Sequence, residues 1–170
     1  LSTGNNQYVI GNANAVSVDY ISINTLGTSV AENFNTLASS GTSSTLPAGW
    51  LFAESGTNAN STFTAGTGSD LTGDTYSFGS SSSTERALGG LLSGSLVPTI
   101  GARIKNNSGS TINSISISYT GETWRVGANN RSDTLDFQYS TDATSLTSGT
   151  WTDVNSLDYF NVAQTAASGS

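Results

Sequence analysis

Residues 108–125 read SGSTINSISISYTGETWR. Ile115, Ile117 and Tyr119 alternate with Ser114, Ser116 and Ser118, the period of two expected of a strand with one apolar and one wet face. Asn106, Asn107, Ser108 and Gly109 break the chain before this run, and Gly121 ends it. Leu135, Phe137 and Tyr139 repeat the pattern downstream. The two stretches predict strands at the centre of a β-sandwich, with Ile115, Ile117 and Tyr119 facing its core.

Outward from this pair the chain reads as further short strands. Val16, Val18 and Tyr20 are apolar at even positions, whereas Ile21 and Ile23 are apolar at odd ones. A one-residue change of parity moves side chains to the other face, so a bulge or a change of sheet is expected near Tyr20. Strands are predicted at Ala31–Asn35, at Trp50–Phe52, at Thr62–Thr64 and around Tyr76 and Phe78. Ala87–Leu88 is expected to end in a turn at Gly89-Gly90, and Pro98 fits only a strand start or an edge. Ile100, Ala102 and Ile104 alternate, as do the residues of Thr134–Ser140, and a last strand region opens at Trp151. Roughly ten to twelve short strands at about 8–12-residue spacing, with no helical pattern, predict an all-β antiparallel β-sandwich or jelly roll. Residues 1–25 read as an N-terminal strand arm and residues 26–170 as the sandwich domain.

Composition narrows the chemistry. The 170 residues fit one domain with a proper core. There is no Cys, His or Met, so disulfides, thiolate metal sites and the usual neutral-pH general base are absent. Charged residues make up 10%, against about 25% in ordinary soluble domains. With one Lys, four Arg and a net charge of −7 there is no basic patch for nucleic acid or anionic lipid. No apolar run approaches the ~20 residues of a membrane helix. Ser, Thr, Asn and Gly hydrate the surface instead of charge, a composition that points to a secreted, extracellular or cell-surface bacterial protein. Asn60, Asn106 and Asn130 begin N-x-Ser/Thr sequons, which a chain this rich in Asn, Ser and Thr produces by chance.

Several motifs occur in order: Leu46-Pro47-Ala48-Gly49-Trp50, Gly73-Asp74-Thr75-Tyr76-Ser77-Phe78-Gly79, Glu85-Arg86-Ala87-Leu88-Gly89, Ile117 through Arg125, and Leu135 through Asp142. Together they resemble a β-sandwich accessory module of large secreted bacterial proteins, among them extracellular nucleases of the ExeM type, secreted phosphoesterases and multidomain adhesins. The resemblance covers about Leu26 to Tyr159. It implies a non-catalytic module, because the family's catalytic residues lie in other domains. Such modules continue with further strands where this chain ends, so the missing strands are expected either from Tyr8–Ile23 or from another chain.

Four sets of residues carry the functional expectations. Trp50 and Trp151 read first as core aromatics, with a platform for a glycan as the alternative, for which Trp151 beside its polar loop is the better candidate. The pairs Glu85-Arg86 and Glu122/Arg125 read as structural clamps rather than an acid/base pair. Asp70, Asp74, Asp133 and Asp136 sit in or beside turns and are the candidate calcium ligands, although no loop has the ligand density of an EF-hand. Tyr8, Val9, Ile10, Val16, Val18, Tyr20, Ile21 and Ile23 form an arm suited to complete the open edge of a neighbouring copy, which builds a head-to-tail filament. The expected function is therefore a non-catalytic structural or adhesive module that assembles by strand complementation. A carbohydrate-binding accessory module is the alternative.

Overall fold

A computed structural model describes residues 19–128, 130 and 132–161 and the backbone of residues 168–169. The strands are β1 (Ile21–Ile23), β2 (Thr42–Ser43), β3 (Trp50–Ser55), β4 (Phe63–Gly66), β5 (Asp74–Phe78), β6 (Ala87–Leu91), β7 (Val97–Ala102) and β8 (Ile104–Asn106). They continue with β9 (Arg125–Val126), β10 (Thr134–Leu135), β11 (Gln138–Tyr139), β12 (Thr152–Asp153), β13 (Tyr159–Phe160) and β14 (Ser168–Gly169). A single 3-10 turn, Asn155–Leu157, interrupts them among the described residues. The protein is all-β, as expected. Its ladders are mostly antiparallel, with parallel pairing, among the described residues, only of β1 with β8 and of β4 with β5.

The heart of the fold is the sheet β2-β4-β5-β6 against the pair β3-β7. Phe52 of β3 meets Phe63 of β4 edge to face, with ring centroids 6.1 Å apart, and Phe63 is completely buried. β5 lies at the centre, with Thr75, Tyr76, Ser77 and Phe78 all buried. Its β-branched and aromatic residues suit a strand covered on both faces. Thr75 donates to Glu54 of β3 through its hydroxyl and its N–H, each at 2.8 Å. On the opposite face Tyr76 and Phe78 stack at 5.0 Å, and Trp124 extends the stack at 5.9 Å.

Three local expectations are corrected. The Gly89-Gly90 pair is strand, not turn. A Cβ on Gly89 would lie 2.9 Å from the Phe78 ring and one on Gly90 2.8 Å from Pro98 Cβ, so these glycines let neighbours approach. The turn falls later, where Ser93 bridges Leu96. Ala31–Asn35 is not a strand either. Glu32 Oε1 accepts the N–H groups of Asn33 and Phe34, Asn33 Oδ1 accepts that of Asn35, and Phe34 has φ +59°, so side chains capture the backbone locally. The third correction is the largest. Residues 111–124 form no strand with any described residue, and Ile115, Ile117 and Tyr119 are 42%, 39% and 42% exposed rather than buried.

Candidate functional site

The site grows out of β8. Asn107 N–H bonds the carbonyl of Ile23 at 2.8 Å, which ends the β1–β8 pairing. Asn106 then organises a tight turn. Its Oδ1 accepts the N–H and hydroxyl of Ser108 at 3.0 and 2.7 Å, its Nδ2 donates to the Ser110 carbonyl at 2.7 Å, and Gly109 supplies φ +73°. Ile112 anchors the following segment in the core. Beyond it Ile115, Ile117 and Tyr119 present an apolar row to solvent.

The far end of this row is held by a second element. The 3-10 turn closes through Leu157 N–H to the Val154 carbonyl at 2.8 Å and delivers Asp158 and Tyr159 beside it. Tyr119 stacks on Phe137 at 6.2 Å, and its hydroxyl donates to the Leu157 carbonyl. Burial, reinforced by the charge of Asp158, pushes the Tyr119 phenol above its ordinary range. Thr123 Oγ1 and the Tyr159 hydroxyl share a 2.8 Å hydrogen bond, and Gly121 lies so close to the Tyr159 ring that a Cβ would overlap it. Between these segments runs a groove of about 300 Å³, lined by Ile117, Tyr119, Gly121, Leu157, Asp158 and Tyr159 among others.

One wall residue of the groove, Asp158, belongs to a cluster of carboxylates. Asp136, Asp153 and Asp158 bring oxygens within 4.8 Å of one another. Asp158 Oδ1 also accepts the Phe137 N–H at 2.9 Å, and Asp136 Oδ2 accepts Gln138 Nε2 at 2.8 Å. Of the four predicted calcium ligands only Asp136 belongs to this cluster. Asp70 sits near Tyr76, whose phenol is pushed up to about 12 by burial and then by Asp70 and Asp74. Asp74 faces Glu54 instead, and the Asp133 N–H is tied to Asn161 Oδ1 at 2.6 Å. The partners Asp153 and Asp158 are distant in sequence. The β11–β12 register, with Gln138 opposite Asp153, brings the first to Asp136, and the β10–β13 register, with Leu135 opposite Tyr159, brings the second.

The remaining candidates fall in several places. Trp50 and Phe34 meet edge to face at 4.6 Å, and Trp50 Nε1 is buried without a hydrogen-bond partner among the described residues. Trp151 is half-buried and donates Nε1 to the Ser148 carbonyl at 2.9 Å. The two Glu–Arg motifs clamp the fold through their arginines, which turn to backbone carbonyls. Arg86 is 3% exposed and donates Nε to Ser77 Oγ at 2.9 Å and Nη2 to the carbonyls of Ser77 and Gly66. Arg125 reaches the carbonyls of Gly68 and Ser69 at 3.3 and 3.4 Å, and Glu122 accepts Trp124 Nε1 at 2.8 Å. Ile21 and Ile23 are already paired with Ile104 and Asn106, and Tyr20 lies under the Lys105 ammonium at 5.8 Å. Tyr8, Val9, Ile10, Val16 and Val18 lie outside the described residues.

No family model, curated protein or solved structure matches this chain. Among the described residues no helix is long and apolar enough to cross a membrane.

Proposed function

We propose that the protein is a non-catalytic structural or adhesive module of the cell exterior that assembles by strand complementation. Its acceptor is the segment 113–119, and its donor is the part of the N-terminal arm that precedes β1. The reading is carried by one observation. Ile115, Ile117 and Tyr119 form an alternating apolar row that no described strand covers. Such an edge pairs readily with another chain unless something protects it. The usual protections are charge and proline, and residues 111–121 contain neither. A neighbour's arm laid on this edge gives a heterologous contact, which repeats into a filament.

The full chain is the test. Light scattering and negative-stain images across a concentration series should show species larger than the monomer. Ile117→Asp should return them to monomers while the melting temperature stays within a few degrees, because the side chain is 39% exposed. Wild-type protein that remains monomeric at every concentration refutes the reading.

A further inference from the structure

Resting on the assembly reading above, we propose that the groove beside Tyr119 is the anchor pocket for Tyr8 of a second copy. The groove of about 300 Å³ is at the low end of the range that encloses small ligands, a size suited to one aromatic ring. Protein interfaces concentrate their energy in such pockets, most often on Trp, Tyr or Arg. This one sits at the C-terminal end of the uncovered 113–119 row, so a strand laid along the row brings one of its residues to the groove. Tyr119 and Tyr159 offer ring surface, and Asp158 offers a carboxylate oxygen to accept a phenol O–H.

The occupant follows from charge and content. Asp158 lines the groove, with the carboxylates of Asp136 and Asp153 within 4.8 Å of its own, and this negative charge repels an acidic segment. Residues 1–18 contain no charged side chain, and Tyr8 is their only aromatic residue. Tyr20, the next along, is already engaged by Lys105. Tyr8 stands eleven residues before Asp19, a stretch that spans up to roughly 40 Å when extended, enough to reach a neighbouring molecule. In an antiparallel register that sets Tyr8 opposite Tyr119, Ile10 falls opposite Ile117, on the same face. Val9 then falls opposite Ser118, on the other face.

That register defines the experiment. Full-length Val9→Cys and Ser118→Cys proteins, mixed and mildly oxidised, should form a disulfide joining the two substituted positions, identified by the mass of the linked peptides. Tyr8→Ala should raise the concentration at which the protein assembles by at least about 30-fold, the scale of an interface hot spot. Tyr8→Phe should raise it by a few-fold, and should have no such effect in an Asp158→Ala background, where the acceptor is gone. Crosslinking of the mixture with unchanged assembly by Tyr8→Ala overturns the anchor and leaves strand complementation standing. Assembly of the unsubstituted protein without that crosslink in the mixture overturns the register, and the anchor with it. Absence of both crosslink and assembly removes both readings. A doubly substituted chain that closes the disulfide on itself as a monomer overturns the second copy as occupant.

Discussion

The block from β3 to β7 and the segment from 111 to 161 are built from similar residues and end in opposite states. In the first, strands of four to six residues pair along their length, and Phe63, Tyr76, Phe78 and Leu96 are buried. In the second, the strands are two residues long, and Ile115, Ile117, Tyr119, Leu135, Tyr139 and Phe160 are exposed. Both are supplied with aromatic and β-branched residues. What differs is the number of covered faces. β5 has Glu54 and Arg86 against one face and Trp124 against the other, whereas among the described residues the 113–119 row has cover only near Tyr119, from Phe137 and Leu157. On the assembly proposed above, the open half is the one that a neighbour completes.

The largest test of that contrast is a pair of truncations. Phe63→Ala should cost about 3–5 kcal/mol, the usual penalty for an aromatic cavity in a packed core. Ile117→Ala in dilute, monomeric protein should cost under about 1 kcal/mol, because the side chain leaves little buried volume behind. Urea denaturation of both variants measures the difference. Equal losses would mean that the two regions are packed alike.

Arg86 offers a smaller and sharper test of the buried half. Its guanidinium ties together Ser77 Oγ and the carbonyls of Ser77 and Gly66. Arg86→Lys keeps the charge but not the planar fork, and should lose about 2 kcal/mol in the same urea assay. Arg125, which touches two carbonyls from a less buried position, should lose less on the same change.

Much of the first region is legible in the sequence. Trp50–Phe52, Thr62–Thr64 and Tyr76/Phe78 fall on or beside observed strands, because alternation and flanking glycines coincide with real pairing there. The clearest alternation of all, at Ile115–Tyr119, misleads. A period of two reports that one face is apolar, and carries no information about whether anything covers it. Gly89-Gly90 misleads for a related reason, since glycine marks close approach as well as turns. The carboxylate cluster is only partly visible. Asp136 stands out beside its turn, but its partners depend on a strand register that spacing along the chain does not encode.

The smallest expected effect concerns the bond between the two packed sheets. Thr75 N–H lies 2.8 Å from Glu54 Oε1 and 2.9 Å from Asp74 Oδ1, so two carboxylates meet at one donor. Burial alone pushes Glu54 up, but the Asn60 N–H, the Thr75 hydroxyl and N–H and Asp74 outweigh it and hold the group below its usual value. Asp74 is pushed the other way, first by burial and then by Glu54, against the pull of the Thr64 hydroxyl. The signs therefore oppose. Glu54 contributes stability that is present above its unfolded pKa and lost as pH falls through its lower folded one. Asp74 favours the fold below its unfolded pKa, and that contribution is lost as pH rises through its higher folded one. Asp74→Asn keeps an acceptor for Thr64 and gives Glu54 a permanent donor, so it should stabilise the protein by about 1 kcal/mol at pH 7. At pH 3, where Asp74 already holds its proton, the gain should vanish. Melting curves of both proteins at the two pH values decide it, and a gain that persists at pH 3 would show that the carboxylates do not compete.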